Sequence, residues 1–537
     1  MKKKEFALQL SELAATLRQK IEAECIGFSS DPVALEERRN KVFSDSGYEF
    51  FVEMYFPHYV RHSAKSELHK YLFSRLPELV NSTKSETDAI AAPRGEAKST
   101  LVSQLFVLWC IITGRKHYAL IIMDSIDQAY PMLEAIKAEL AFNPRLAMDF
   151  PGATGAGRVW QAGTIVTAND VKIQVAGSGK KLRGLRHGPW RPDLVVGDDI
   201  ENDEQVRSPE QRDKLQDWLN KTVLKLGGVG TKCDVIVIGT ILHYDSVLSR
   251  ILKNPLWFAA KFKALLQWPD RLDMWDKWEE LLRNEGPLVA EAYYIGNKLE
   301  MDKGAIVSWA ARPLIDLMKI RARDGHAAFD SELQNDPVSG DNAPFAGILN
   351  FWVNKISNWS MFGSLDPSLG KSGKSRDPSA LLIGGFNRET GVLDVVEALI
   401  KKRLPDTIIE DAIALQKQYR CLLWAVETVQ FQEFLKDELV KRSAKVGVPF
   451  PARGVKPSAD KLLRIESLQP HVKNGFIRIH SSQTTLREQL EHFPMADHDD
   501  GPDALHMLWM IATTGYGAIE FTPLKDSSIF SINGGAW

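Results

Sequence analysis

The chain has 537 residues, of which 44% are hydrophobic and 25% charged, with a formal net charge of −2. That is the composition of a globular protein of two or three domains without a global basic field, so nucleic-acid contact would need local basic patches. Cys25, Cys110, Cys233 and Cys421 have neither metal-ligand nor disulfide-framework spacing, and no apolar run reaches the ~18 residues of a membrane span. The start, MKKKEFALQLSEL, lacks a signal-peptide core, and the expectation is a cytoplasmic protein with no membrane partner.

Residues 5–26 carry apolar residues at helical spacing, and 46–79 read as two helices. Strand, loop and helix follow in DAIAAPRGEAKSTLVSQLFVLWCIIT, then strand and helix in HYALIIMDSIDQAYPMLEAIKAEL. VKIQVAG, PDLVVGDD and CDVIVIGTIL are short strands rich in Val and Ile. Strands alternating with helices predict an α/β domain with a mostly parallel sheet. Asn, Asp, Gly and Pro then cluster in DSELQNDPVSGDNAPFAG, as in a linker. A second series of strands begins after it, with NRETG joining two of them as a hairpin, and a helix over 501–513 closes the pattern. The expected division is a helical segment 1–45, a first domain 46–330, a linker 331–350, a second domain 351–516 and a tail 517–537.

APRGEAKST, residues 92–100, has the parts of a phosphate loop. Such a loop needs inward N–H groups, a helix N-terminus, a Lys for the β/γ-phosphates and a hydroxyl for Mg²⁺. Gly95, Glu96, Ala97, Lys98, Ser99 and Thr100 are the candidates, and Arg94 adds a charge that could reach the γ-phosphate. Ala92 and Ala97 stand where the standard pattern has glycine. About 100 residues on, PDLVVGDD ends a strand in two carboxylates, where ligands bind in parallel sheets. Asp198 is assigned to Mg²⁺ and Asp199 to the attacking water, with Glu201 as a rival base. Thr240, at the end of VIVIGT, is placed to sense the γ-phosphate. The cofactors expected here are ATP and Mg²⁺.

The second half has its own signal. Asp366 ends one apolar strand and Glu427 another, and HDDGPDALHMLWM starts a helix with Asp499, Asp500 and Asp503. Two-metal hydrolysis of a phosphodiester needs converging carboxylates, with ions about 3.5–4 Å apart. Asp377 is a further helper. Lys and Arg recur in 371–376, 401–403 and 441–464, as patches that could grip DNA phosphates.

The ordered set APRGEAKST, RGLRHGPWRPDLVVGDDIEND and VIVIGT resembles the large terminase subunit of tailed bacteriophages. FPHYVRHSAKSELHKYL and FDSELQNDP are similar to further segments of that family. The resemblance implies a P-loop (additional-strand) ATPase domain followed by an RNase H-like mixed α/β nuclease domain. It implies base contacts from Tyr59, His62 and His69, an arginine finger for which Arg183 is favoured within SGKKLRGLRHGPWRPD, and Asp366, Glu427 and Asp503 as ligands of two Mg²⁺ or Mn²⁺, with Asp500 accessory. It also implies double-stranded DNA, the portal protein of a procapsid and a small terminase subunit as partners, a homo-oligomeric ring on the portal, and action in the host cytoplasm. One departure is Asp198-Asp199, where the family has Asp-Glu. Two other readings are a helicase-like repair ATPase-nuclease and a non-enzymatic portal-assembly scaffold with a dead loop.

Overall fold

The computed structural model describes residues 3–60, 62, 64–228, 230–337, 343–354, 358–367, 378–428, 432–456 and 460–514. The chain divides into two units, Met1–Asp341 and Asn342–Trp537. Asp377, the patch 371–376 and the tail 517–537 lie outside the described residues.

The first unit is built on eight strands: β1 (Thr87–Ala91), β2 (Tyr118–Met123), β3 (Val159–Trp160), β4 (Thr164–Val166), β5 (Lys172–Gly177), β6 (Leu194–Asp198), β7 (Asp234–Gly239) and β8 (Phe258–Lys261). Their order is β3-β4-β5-β2-β6-β7-β1-β8. From β5 to β8 every pair is parallel; β3 and β4 add an antiparallel edge. The central strands read as near-continuous apolar runs because helices cover both faces. Ile90, Ile121, Val196 and Ile236 face one core, and Ala89, Leu120, Val195 and Val237 face the other. β7 is inserted between β1 and β6, the additional-strand arrangement. It sets the two expected motif strands one place apart, with their C-terminal ends on one edge.

The N-terminal helix Lys3–Glu24 is not free of the unit: Leu17 and Ile21 pack with Ala138 and Phe142. A smaller sheet, β9 (Leu265–Gln267) with β10 (Ile306–Val307), carries the helices Leu272–Asn284, Pro287–Met301 and Leu314–Asp324. These share a core of Trp275, Trp278, Tyr294 and Leu317.

The second unit has β11 (Trp359–Asp366), β12 (Ser379–Asn387), β13 (Val392–Lys401), β14 (Leu423–Glu427), β15 (Ala452–Val455) and β16 (Ile477–Arg478), in the order β15-β14-β11-β12-β13-β16. β12 is antiparallel to both neighbours, while β14 and β15 run parallel to β11. A three-strand meander continued by two parallel strands is the RNase H-like arrangement. The NRETG turn lies between β12 and β13, as the hairpin reading expects. The helix Asp500–Thr513 buries Ala504, Leu505 and Leu508 against this sheet. No helix among the described residues is long and apolar enough to cross a membrane.

Candidate functional site

β1 ends at Ala91, and residues 92–98 turn back into a helix. Its first turns, Ser99–Phe106, are wound as a π-helix before α-helix resumes at Val107–Ile112. The turn needs two residues at positive φ, Gly95 at 83° and Ala97 at 54°. Ala97 thus adopts the backbone state for which glycine is normally used.

Lys98 is buried, and its Nζ donates to Asp199 Oδ1 at 2.7 Å and to Thr240 Oγ1 at 2.8 Å. Thr240 N also donates to Asp199 Oδ1, at 3.2 Å. Three motifs far apart in sequence therefore meet at the C-terminal edge of β1, β6 and β7. Asp199 itself sits at φ 43°, its backbone N bonded to Ile238 O (2.9 Å). Asp198 points the other way, beneath the helix start. Its Oδ2 accepts from Ser103 Oγ (2.7 Å), its Oδ1 is buried without a hydrogen-bond partner, and the Ser99 hydroxyl lies close by. Burial first, then the neighbouring Asp199, pushes the Asp198 carboxyl up to about 6. A buried carboxylate with an orphaned oxygen beside a serine fits a divalent cation.

Glu201 goes elsewhere. Its carboxylate accepts from Val247 N (2.7 Å) and Leu248 N (3.0 Å), at the start of the helix Val247–Leu252. Of the two rival bases, only Asp199 meets the phosphate loop. Arg94 is largely exposed and pairs with Glu332 (3.0 Å). Glu96 turns its side chain inward, where both carboxylate oxygens lack hydrogen bonds, so only its backbone faces the loop. Burial pushes its carboxyl up to about 6. Arg183 is exposed on the basic loop, whose Lys180 carbonyl is held by Trp218 Nε1 (2.8 Å).

A cavity of about 130 Å³ opens beside the loop, against Ala97, Thr100 and Leu101. Tyr59, His62 and His69 all line it. Tyr59 OH accepts from Gln104 Nε2 (2.8 Å), and His69 Nε2 lies 3.1 Å from Glu96 O. Sequence reasoning missed Trp309, which lines the same cavity, and Asn335, which fastens the loop region. Asn335 is fully buried at φ 53°, accepts from Ile241 N (2.9 Å) and donates to Phe262 O (2.8 Å). FDSELQNDP, which overlaps the expected linker, thus also packs against the ends of β7 and β8. Neither residue carries a motif; only the position of Asn335 in FDSELQNDP could have pointed to it.

In the second unit, Leu365 and Val426 are register partners on parallel strands, so Asp366 and Glu427 leave adjacent strands at one level. Asp500 and Asp503 open the buried first turn of the last helix. Burial and then the charges of Glu427, Asp500 and Asp503 hold the Asp366 carboxyl well above the ordinary carboxylate range. The other three acids are close enough to repel Asp366, a donor set suited to divalent cations. Among the described residues no three such donors already stand at metal-binding spacing. Two cations face this cluster: Arg464 Nη1 lies 2.6 Å from Asp503 Oδ1, and Lys461 Nζ lies 3.9 Å from Asp503 Oδ2 and 2.6 Å from the neighbouring Asp499 Oδ1. The DNA-gripping expectation needs correction at Arg403 and Arg464. Both turn inward, Arg403 onto Ser379 O and Asp411, because a desolvated guanidinium must satisfy its fork of donors.

No family model and no curated protein matches the chain. Solved structures do. The chain resembles large terminases. One is the large terminase of HK97 bacteriophage, at 16% identity over 79% of this chain and 91% of that one, with a TM-score of 0.36. Another is the large terminase of a thermophilic bacteriophage in complex with ATP-γ-S, at 10% identity over 82% and 98%, TM-score 0.29. A third is the human cytomegalovirus terminase nuclease domain, soaked with Mn and inhibitor-bound, at 15% identity over 33% and 96%, TM-score 0.26. Likeness at these scores carries no weight for function, which rests on the site's own residues.

Proposed function

We propose that the chain is a viral DNA-packaging motor: its first unit hydrolyses ATP to drive double-stranded DNA into a procapsid, and its second cuts concatemeric DNA. The observation that carries this reading is the Lys98–Asp199–Thr240 node at the C-terminal edge of a parallel sheet, beside a base-sized cavity. A scaffold with a dead loop would have no need to hold Ala97 left-handed or to bury a lysine against two motif ends.

The backbone N–H groups of residues 95–98 bind the β- and γ-phosphates, and Lys98 moves from Asp199 to them. That frees Asp199 Oδ1 to orient the attacking water, while Thr240 keeps its hydroxyl at the γ-phosphate. Ser99 and Asp198 would hold Mg²⁺, which would supply charge neutralisation at the phosphates. Tyr59, His62 and His69 surround the base. Arg94 and Arg183 remain the candidates for charge stabilisation, Arg183 from a neighbouring subunit of a ring on the portal. In the second unit Asp366, Glu427, Asp500 and Asp503 would hold divalent ions, which would supply an activated water and a stabilised leaving oxygen. Arg464 and Lys461 balance the acids until then. A small terminase subunit would deliver the DNA.

Lys98→Ala in the full chain is expected to lower ATP turnover at least about a hundredfold. Turnover equal to the parent's would remove the ATP site from this reading.

A further inference from the structure

The segment Ser308–Arg312 belongs to neither the phosphate loop nor an acid cluster, yet it touches both ends of the candidate nucleotide site. It is fixed where it leaves β10: Ser308 N donates to Ala264 O (2.8 Å), and Glu67 N donates to Ser308 O (3.3 Å). Trp309 Nε1 donates to Ala64 O (2.7 Å). This bond pins the indole as one wall of the cavity, edge-on to His62 and His69 with ring centroids 5.5 and 5.2 Å away. Three residues on, Arg312 reaches the loop itself. Its Nη1 donates to Arg94 O (3.0 Å), and its Nη2 fills the space that a Cβ on Gly95 would need. Gly95 is required for its φ of 83°, and a Cβ there would also push the Arg312 guanidinium off the loop. The same guanidinium is the positive charge acting on buried Glu96.

We propose that Ser308–Arg312 is a nucleotide clasp, in which Trp309 forms a wall of the base pocket and Arg312 is a positioning residue that sets the phosphate loop for ATP hydrolysis. The proposal rests on the reading of residues 92–100 as a phosphate loop. It has a mechanical consequence. Arg312 leads directly into the helix Leu314–Asp324, whose Leu314 and Leu317 share a core with Trp275 and Tyr294. Occupancy of the loop is thereby passed to the helices around the small sheet.

The test is hydrogen–deuterium exchange on the full chain with and without ADP and Mg²⁺. Peptides covering 92–100 and 306–314 are both expected to slow, by roughly threefold or more. Slowing at 92–100 with none at 306–314 overturns the clasp alone; no change at either overturns the phosphate-loop reading beneath it. Variants add a second measurement. Trp309→Ala is expected to weaken fluorescent-ADP binding about tenfold, with Trp309→Phe within about threefold of the parent. Arg312→Ala is expected to lower kcat about tenfold while KM stays within about threefold, and Arg312→Lys to recover part of the loss. Alanine variants that bind and turn over like the parent contradict the proposal.

Discussion

At Ala97 a residue with a Cβ occupies φ 54°, in a turn that the phosphate-loop pattern reserves for glycine. The left-handed state costs a non-glycine residue about 1 kcal/mol or more, partly offset by the looser unfolded chain that glycine brings. Ala97→Gly should therefore raise stability by up to about 1 kcal/mol, read as a shift in urea midpoint, and should leave nucleotide binding intact. One residue earlier, burial raises the Glu96 carboxyl from 4.5 to about 6. A folded-state value above the unfolded one means that stability is fully present below about pH 4.5 and is lost as pH rises through about 6. The cost at pH 8 is about 2 kcal/mol, since each unit is worth about 1.4 kcal/mol. Glu96→Gln should remove it: the variant should be more stable than the parent at pH 8, with the difference fading below pH 4.5. Paired denaturant melts at the two pH values measure this, and an equal difference at both would reject the burial of an ionised Glu96.

At the scale of elements, the strands that bear the candidate site residues were the legible ones. Buried parallel strands are continuous runs of Val and Ile, so β2, β5, β6 and β7 stand out, and their terminal polar residues mark the ligand edge. Asp366 and Glu427 announced themselves in the same way, as charges ending apolar runs, and Asp500 and Asp503 as charges opening the last apolar helix. The short strands β3, β4, β15 and β16 escaped notice because two to four residues give no period to read. The elements that lock the site in place were also not legible. Trp309, Arg312 and Asn335 act through single contacts made by tertiary folding, with no spacing of their own. Glu201 shows the converse: its nearness to Asp199 in sequence suggested a base, but the backbone turns it to cap the helix at Val247. Asn335→Ala should test the lock that FDSELQNDP provides. It leaves Ile241 N and Phe262 O buried without partners, a loss of about 3 kcal/mol, measurable as a lowered denaturant midpoint of the first unit.

At the scale of the molecule, two units carry two separate polar clusters. The acids of the second unit repel one another when ionised, and a divalent ion relieves that repulsion. Asp366 is held well above the ordinary range, so protons compete with metal as pH falls. Mn²⁺ should therefore raise the unfolding temperature of the second unit more at pH 8 than at pH 5, as followed by calorimetry. Equal shifts would show that these acids are not the metal's ligands. The proposed function puts an ATP site and an independent nuclease site on one chain. It is tested most directly by assaying ATP turnover and Mn²⁺-dependent plasmid cleavage side by side in full-length Lys98→Ala and Asp366→Asn. The predicted result is reciprocal: Lys98→Ala loses turnover and still cuts, and Asp366→Asn loses cutting and still hydrolyses ATP. Cleavage by Asp366→Asn at the parent's rate, or turnover by Lys98→Ala at the parent's rate, would contradict it.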